Sequence, residues 1–267
     1  MRYKLLFLLI IIIFPSCFFN KEGSFYVSKY REKNQVKLLS ITLPRGSIEI
    51  KGWANDFIEI ESNKKIKNKL SFDSRLIKLD FISNKGKLEV TVSIPERVRG
   101  SLDLKINVPY NLMKIIINTQ DSNIKINDFF GDAEINSNKG LIDMDFQGSI
   151  LRVVSEESTI NLNINTINSS DIFIKNKTGD VNVNVSAVRE DSFLDIKSLS
   201  GNIYLSINKE ISHRFSLTYK NEIDIQYKYG KIADMKGEYN YLSGFVNNYS
   251  YKIDLSNING KITMLQK

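Results

Sequence analysis

The chain has 267 residues, a formal charge of +7, 4 prolines, one histidine and one cysteine. A chain of this length buries roughly 70–75% of its unfolded surface on folding, so it needs no cross-links. A single cysteine excludes an internal disulfide framework. Ile, Val and Leu recur among Asn, Lys, Asp and Ser, which is the vocabulary of strands and turns rather than of helices.

The first segment is MRYKLLFLLIIIIFPSC. It has a basic start at Arg2 and Lys4 and an apolar core from Leu5 to Phe14. Ten apolar residues are too few to span a bilayer, which takes about 20, and have the proportions of an export signal. The ending Phe14-Pro15-Ser16-Cys17 resembles bacterial lipoprotein signals, which place a small residue before an obligate Cys. Phe14 and Pro15 depart from the commonest pattern, as in bacteria with relaxed lipobox rules. The resemblance implies cleavage after residue 16 and a lipidated Cys17, whose acyl chains add about 0.8 kcal/mol per buried methylene. Without Arg2 and Lys4 the side-chain charge is about +5. The charges are scattered, as on a strand-rich surface kept soluble by Lys.

Residues 17–35 read as a lipidated tether and 36–267 as one β-solenoid domain. Within it, 36–110 read as irregular N-terminal rungs and a cap. The segments GSIEIKGW, DFIEIES, RLIKLDFIS, KLEVTVSIP and LDLKINVP alternate like strands. The basic stretch Asn63–Lys69 carries Lys64, Lys65, Lys67 and Lys69, candidate contacts for an anionic partner, although a charge run is usually a solvated loop. Trp53 reads as a cap residue touching the core, the alternative being an exposed anchor for a partner.

Regular rungs follow over 111–229. Alternating phrases recur around Ile124, Ile142, Ile160, Val181, Ile203 and Ile223, spaced by 18, 18, 21, 22 and 20 residues, with a late echo at Ile262. Each period holds a second strand, such as DAEINS, DIFIKN or FLDIKS. Two short strands per repeat of about 20 residues, with no helical period, predict a β-solenoid whose rungs stack about 4.8 Å apart. The phrase recurs because one rung cannot cover its own apolar face. Alternation places Ile124/Ile126, Ile142/Met144, Ile160/Leu162, Val181/Val183, Ile203/Leu205 and Ile223/Ile225 inside. It places Lys125, Asp143, Asn161, Asn182, Tyr204 and Asp224 in one outward column. Asn127, Asp145, Asn163, Asn184, Ser206 and Gln226 form the next. Residues 230–267, rich in tyrosine, read as the C-terminal cap.

Gly46-Ser47-Ile48, the Val108-Pro109 strand end and the turn glycines Gly140, Gly179 and Gly201 resemble a bacterial family of domains of unknown function, the DUF4097-like, adhesin-like β-solenoids, over roughly 40–265. Two rungs depart from its pattern, with Ser158-Thr159 and Asn221-Glu222 where the turn glycine belongs. The resemblance implies an all-β, single-stranded right-handed β-solenoid with irregular β caps.

No reactive constellation is legible. The lone His213 reads as a surface or turn residue. Once Cys17 is lipidated no free thiol remains, and no metal-ligand spacing or phosphate-binding glycine loop is present. No catalytic, metal or cofactor residue is expected. The expected role is a non-enzymatic, adhesin-like binding or scaffold module on a bacterial membrane, at the outer surface or periplasmic face. Its partners would be the membrane, through the lipid, and a protein or polysaccharide ligand, with no nucleic acid. The alternative is a carbohydrate-active solenoid of lyase or hydrolase type using the outward Asp143 and Asp145, although their rung neighbours include asparagines, which cannot act as acid or base. A regulatory partner protein of the envelope is a third reading.

Overall fold

The computed structural model describes residues 23–32, 35–66, 75–165, 169–189, 191–247 and 251–267. Cys17, Lys67 and Lys69 lie outside them. The chain is all β. In order the strands are β1 Gly23–Glu32, β2 Leu38–Trp53, β3 Ile58–Ile66, β4 Lys78–Asn84, β5 Lys87–Ser93, β6 Gly100–Pro109 and β7 Lys114–Phe129. Then come β8 Asp132–Phe146, β9 Ile150–Asn165, β10 Asp171–Thr178, β11 Val181–Ala187, β12 Phe193–Ser200, β13 Ile203–Ile207, β14 His213–Tyr219 and β15 Glu222–Ile225. The last are β16 Gly230–Met235, β17 Asn240–Val246, β18 Tyr251–Asn257 and β19 Lys261–Gln266.

β2, β7, β8 and β9 each bend once, so one strand supplies both sides of a rung. In later rungs the bend becomes a break, and β10–β11 and β12–β13 do the same work as pairs. Parallel pairing joins the first halves of the rungs into one sheet and the second halves into another. The two sheets share one hydrophobic core, so the body is a solenoid with two flat faces and two turn edges. The first edge carries the bends within rungs. The second carries the passage from one rung to the next.

Register follows the alternation. Ile124, Ile142, Ile160, Val181 and Ile203 stack in line, each no more than 1% exposed. The other sheet runs a matching column through Leu39, Ile115, Ala133, Leu151, Ile172 and Leu194, all buried. A slip of one residue would turn these columns to solvent, which is what pins the register.

The bend within a rung has its own chemistry. Thr119, Ser137, Ser155, Asn176, Ser198 and Asn257 stack in register and are all buried. They form an inward polar column at the corner where the backbone turns. Asn176 Nδ2 donates to Ser158 O at 2.8 Å and Gly179 O at 2.9 Å. Asn257 Nδ2 donates to Gly201 O at 2.8 Å and its Oδ1 accepts from Gly260 N at 2.9 Å. Turning the chain aims peptide groups inward, and Asn176, Asn257 and Ser137, which donates to Lys139 O, bond to them. The spacing Ser/Asn-x-x-Gly at 137–140, 176–179, 198–201 and 257–260 is the signature of this corner. At Gly140, with φ +133°, an added Cβ would fall 2.1 Å from Ser122 O.

The rungs do not stack in chain order. In space they run 87–109, 38–53, 114–129, 132–146, 150–165, 171–187, 193–207, 251–266 and 213–225. At each end a rung near a chain terminus is clamped one place in from the outermost rung. This corrects three expectations. Residues 251–266 are an interior rung and not part of a cap. Ile223 does not lie on Ile203, because Ile262 sits between them. Ile223 and Ile225 belong to the outermost rung and are therefore only half-buried. Nor do residues 23–32 act as tether: they form β1, antiparallel to β3. A fourth difference is local. A register shift after Ile126, with Asp128 at φ 54°, takes Asn127 out of line with Asp145.

Antiparallel strands cover both halves of the outermost rung at one end and one half at the other. β3 and then β1 cover β6, and β4 covers β5. Tyr30 on β1 stacks on Phe81 of β4 with centroids 4.2 Å apart, joining the two covers. At the far end β17 covers β14, and β16 covers β17. These covers pair the outer edges of β5, β6 and β14, edges that would otherwise template aggregation, and β15 is paired with β19.

Candidate functional site

One flat face is an amide ladder, and the other is mixed, with Arg152 and Lys197 over the Phe173 ring at 5.2 and 5.3 Å. Asn182 Nδ2 donates to Asn161 Oδ1 at 2.9 Å, and Asn163 Nδ2 donates to Asp145 Oδ1 at 2.8 Å. On the other sheet Asn136 Nδ2 donates to Asn118 Oδ1 at 3.1 Å. Asp143 stands in register between Lys125 and Asn161. The outward column ends differently from expectation: Ser206 is buried, in register with Leu265 of the inserted rung.

His213 is not at the surface. It starts the inward set His213, Phe215, Leu217 and Tyr219 of β14 and is fully buried. Its Nε2 lies 3.1 Å from Tyr227 Oη and its Nδ1 3.0 Å from Ile211 O. Burial pushes the imidazole below its ordinary pKa and the Tyr227 phenol above its own. Phe215 and Tyr229 pack edge-on beside them at 5.2 Å. The group is a cap core with a polar seam.

The two turn edges differ in chemistry. The second edge carries exposed apolar side chains at three successive rung junctions: Tyr110 and Met113 in the turn between β6 and β7, Phe130 after β7 and Ile150 at the start of β9 are 49%, 61%, 47% and 54% exposed. Tyr110 and Phe130 meet edge to face at 5.4 Å. Trp53 is half-buried beside them, its Nε1 donating to Phe57 O at 2.9 Å and its ring against Phe57 at 4.8 Å. Its hydrogen-bond and ring partner is Phe57 of its own turn, and it sits at the margin of this strip. Tyr110 and Met113 continue the inward alternation of β6 and β7 into the turn, whereas Ile150 stands on the outward phase of β9 beside buried Leu151 and Phe130 follows the bulge at Asp128.

The first edge is basic where it meets the N-terminal cover. A groove of about 490 Å³ is lined by Arg45, Lys65, Arg99 and Asp121 with Gly46 and Gly100. Arg45 Nη2 donates to Val98 O at 2.8 Å. Lys65 Nζ lies 2.5 Å from Asp103 Oδ2, and Ser47 Oγ donates to Asp103 Oδ1 at 2.8 Å. Lys64 is half-buried, and desolvation lowers its pKa. Of the four lysines expected to meet an anion, Lys65 thus lines the groove and Lys64 lies beside it on β3. Sequence reasoning missed Arg45 and Arg99, which reach the same place from turns 54 residues apart in the chain.

A family described as Toastrack DUF4097 matches residues 35–265. No curated protein matches the chain. Among solved structures, a candidate adhesin from Bacteroides fragilis is similar at 10% identity, covering 92% of this chain and 97% of its own, with a TM-score of 0.41. A candidate cell adhesion protein from Clostridium sporogenes shows 14% identity over 93% of this chain and 100% of its own, with a TM-score of 0.36. A candidate lipid-binding protein from Parabacteroides distasonis shows 10% identity over 92% and 94%, with a TM-score of 0.26.

Proposed function

The chain belongs to the Toastrack DUF4097 family, and from that premise we propose that it is a lipid-anchored, adhesin-like binding module of the bacterial envelope, working without catalysis. The observation that carries this reading is the apolar strip of Tyr110, Met113, Phe130 and Ile150 along one turn edge. Contiguous exposed apolar side chains mark interaction sites, and aromatic residues and Met are enriched where proteins meet. A stack of rungs locked by a common core holds such side chains at fixed spacing. Little entropy is then lost when a protein or polysaccharide ligand lands on them. The flat faces suit a different purpose. Asn and Asp side chains of the ladder bond to one another from rung to rung, with Asn182 on Asn161 and Asp145 tied to Asn163. A solvated ladder keeps the rod soluble, and its amides offer no proton to donate or abstract. The anchor rests on Cys17, the one cysteine, placed at the end of an export-type segment.

Two measurements test this reading. Palmitate labelling of cells is expected to mark the wild type and to leave Cys17→Ala unlabelled; equal label on both removes the anchor. A photo-crosslinking amino acid at Phe130 is expected to give adducts on intact cells, and one at Asn182, on the flat face, to give none. Equal adducts at the two positions, or none at Phe130, would remove the edge as the binding surface.

A further inference from the structure

We propose that the basic turn edge, with Arg45, Lys65 and Arg99, docks on anionic lipid headgroups and so fixes how the rod stands on its membrane. This rests on the anchoring reading above and extends it from attachment to orientation. Three observations meet at one corner.

The first is where the chain arrives. β1 pairs with β3 so that Gly23 lies opposite Ile66 and Glu32 opposite Ile58. Gly23 is therefore at the basic edge, and Ile66 lines the same groove as Arg45 and Arg99. The second is reach. Cys17 precedes Gly23 by 6 residues, which extend at most about 20 Å. A lipid on Cys17 would hold this corner within that distance of the bilayer surface. The second turn edge lies a further strand length away, also about 20 Å, on the far side of the rung.

The third is charge and its preparation. Arg45 is steadied by Val98 O and Lys65 by Asp103, so cationic groups are held at the groove before any ligand arrives. Asp121 is the one carboxylate among the lining residues; with Asp103 counted against Lys65, Arg45 and Arg99 still leave the groove net positive. Cationic side chains near an anionic leaflet each raise partitioning roughly fivefold. Close to an acyl anchor their effect is to select an orientation, because the anchor already supplies the attachment. With the basic edge down, Tyr110, Met113, Phe130 and Ile150 point away from the membrane, where a ligand can reach them.

The test uses the full chain purified from membranes and reconstituted with phosphatidylcholine vesicles, with or without phosphatidylglycerol, all containing a headgroup-quencher lipid. A fluorescent amino acid replaces Glu96, in the exposed turn beside the groove, or Asn111, exposed on the opposite edge. In phosphatidylglycerol vesicles the label at 96 is expected to be quenched at least about twofold more than that at 111. The contrast should shrink in high salt, in phosphatidylcholine alone, and in the triple variant Arg45→Gln/Lys65→Gln/Arg99→Gln. Equal quenching at the two positions in anionic vesicles, or a contrast unchanged by salt and by the triple variant, would overturn the proposal. Co-flotation with phosphatidylcholine vesicles reports the anchor separately, so loss of attachment is not mistaken for loss of orientation. A near-wild-type melting temperature of the triple variant confirms that it is folded.

Discussion

Deleting residues 251–267 is expected to abolish the folded state, although it removes only the last strands of the chain. In a solenoid stacked in chain order, loss of the final rung shortens the rod and leaves the rest standing. Here the final rung lies between β12–β13 and β14–β15. It supplies Tyr251, Ile253, Leu255, Ile262 and Met264, none more than 2% exposed. At about 1.5–3 kcal/mol each, their burial contributes on the order of 10 kcal/mol, comparable to the whole stability of a typical domain. The deletion also strips a pairing partner from β12, β13, β14 and β15 and leaves four open strand edges. Size-exclusion chromatography and circular dichroism should show aggregated or unfolded chain. A monomeric fragment melting cooperatively within a few degrees of wild type would contradict this.

Gly140→Ala is expected to cost about 3 kcal/mol or more, and Gly237→Ala almost nothing. Gly140 has φ +133°, and its added Cβ would collide with Ser122 O of the rung below. Both atoms belong to backbone held by the ladder, so neither yields without breaking the corner. Strained φ and overpacking each cost about 1–3 kcal/mol. Gly237 is exposed, with the nearest atom to an added Cβ at 3.7 Å, and surface changes of that kind stay within about 0.5 kcal/mol. For a chain of this size the Gly140 change lowers the melting temperature by roughly 10 °C. Comparable melting curves for the two variants would show that the corner gives way easily.

The rungs and their register were legible because alternation and period are local properties of the chain. Ile142, Ile160, Val181 and Ile203 could be placed in one column from spacing alone, and the column is there. Which rung lies on which was not legible at the ends. Ile203 can pair equally well with Ile223 or Ile262, since both present the same apolar pair to the same kind of strand. Only the hairpin of β16 and β17, which carries the chain around the outermost rung and back, decides it. The phase of His213 is legible, since it shares the alternating positions of Phe215, Leu217 and Tyr219, but an isolated histidine carries no apolar signal of its own. Asn176 and Asn257 were likewise hidden, because polar residues in an alternating pattern normally face water, whereas a bending backbone needs them within. Neither edge was visible as a surface. Arg45 and Arg99, and Tyr110 and Phe130, sit in turns where periodicity stops and only the stacked rungs bring them together.

The insertion of the last rung can be tested by paired cysteines in a Cys17→Ser background. Lys197, Ser256 and Thr218 stand in line on successive strands β12, β18 and β14. Adjacent strands bring Cα atoms to about 4.8 Å, inside the range a disulfide accepts, whereas strands two apart lie near 10 Å, beyond it. Under mild oxidation Lys197→Cys/Ser256→Cys should form an intramolecular disulfide and Lys197→Cys/Thr218→Cys should not. The reverse outcome would mean that the chain stacks in sequence order and that its C-terminus is a cap after all.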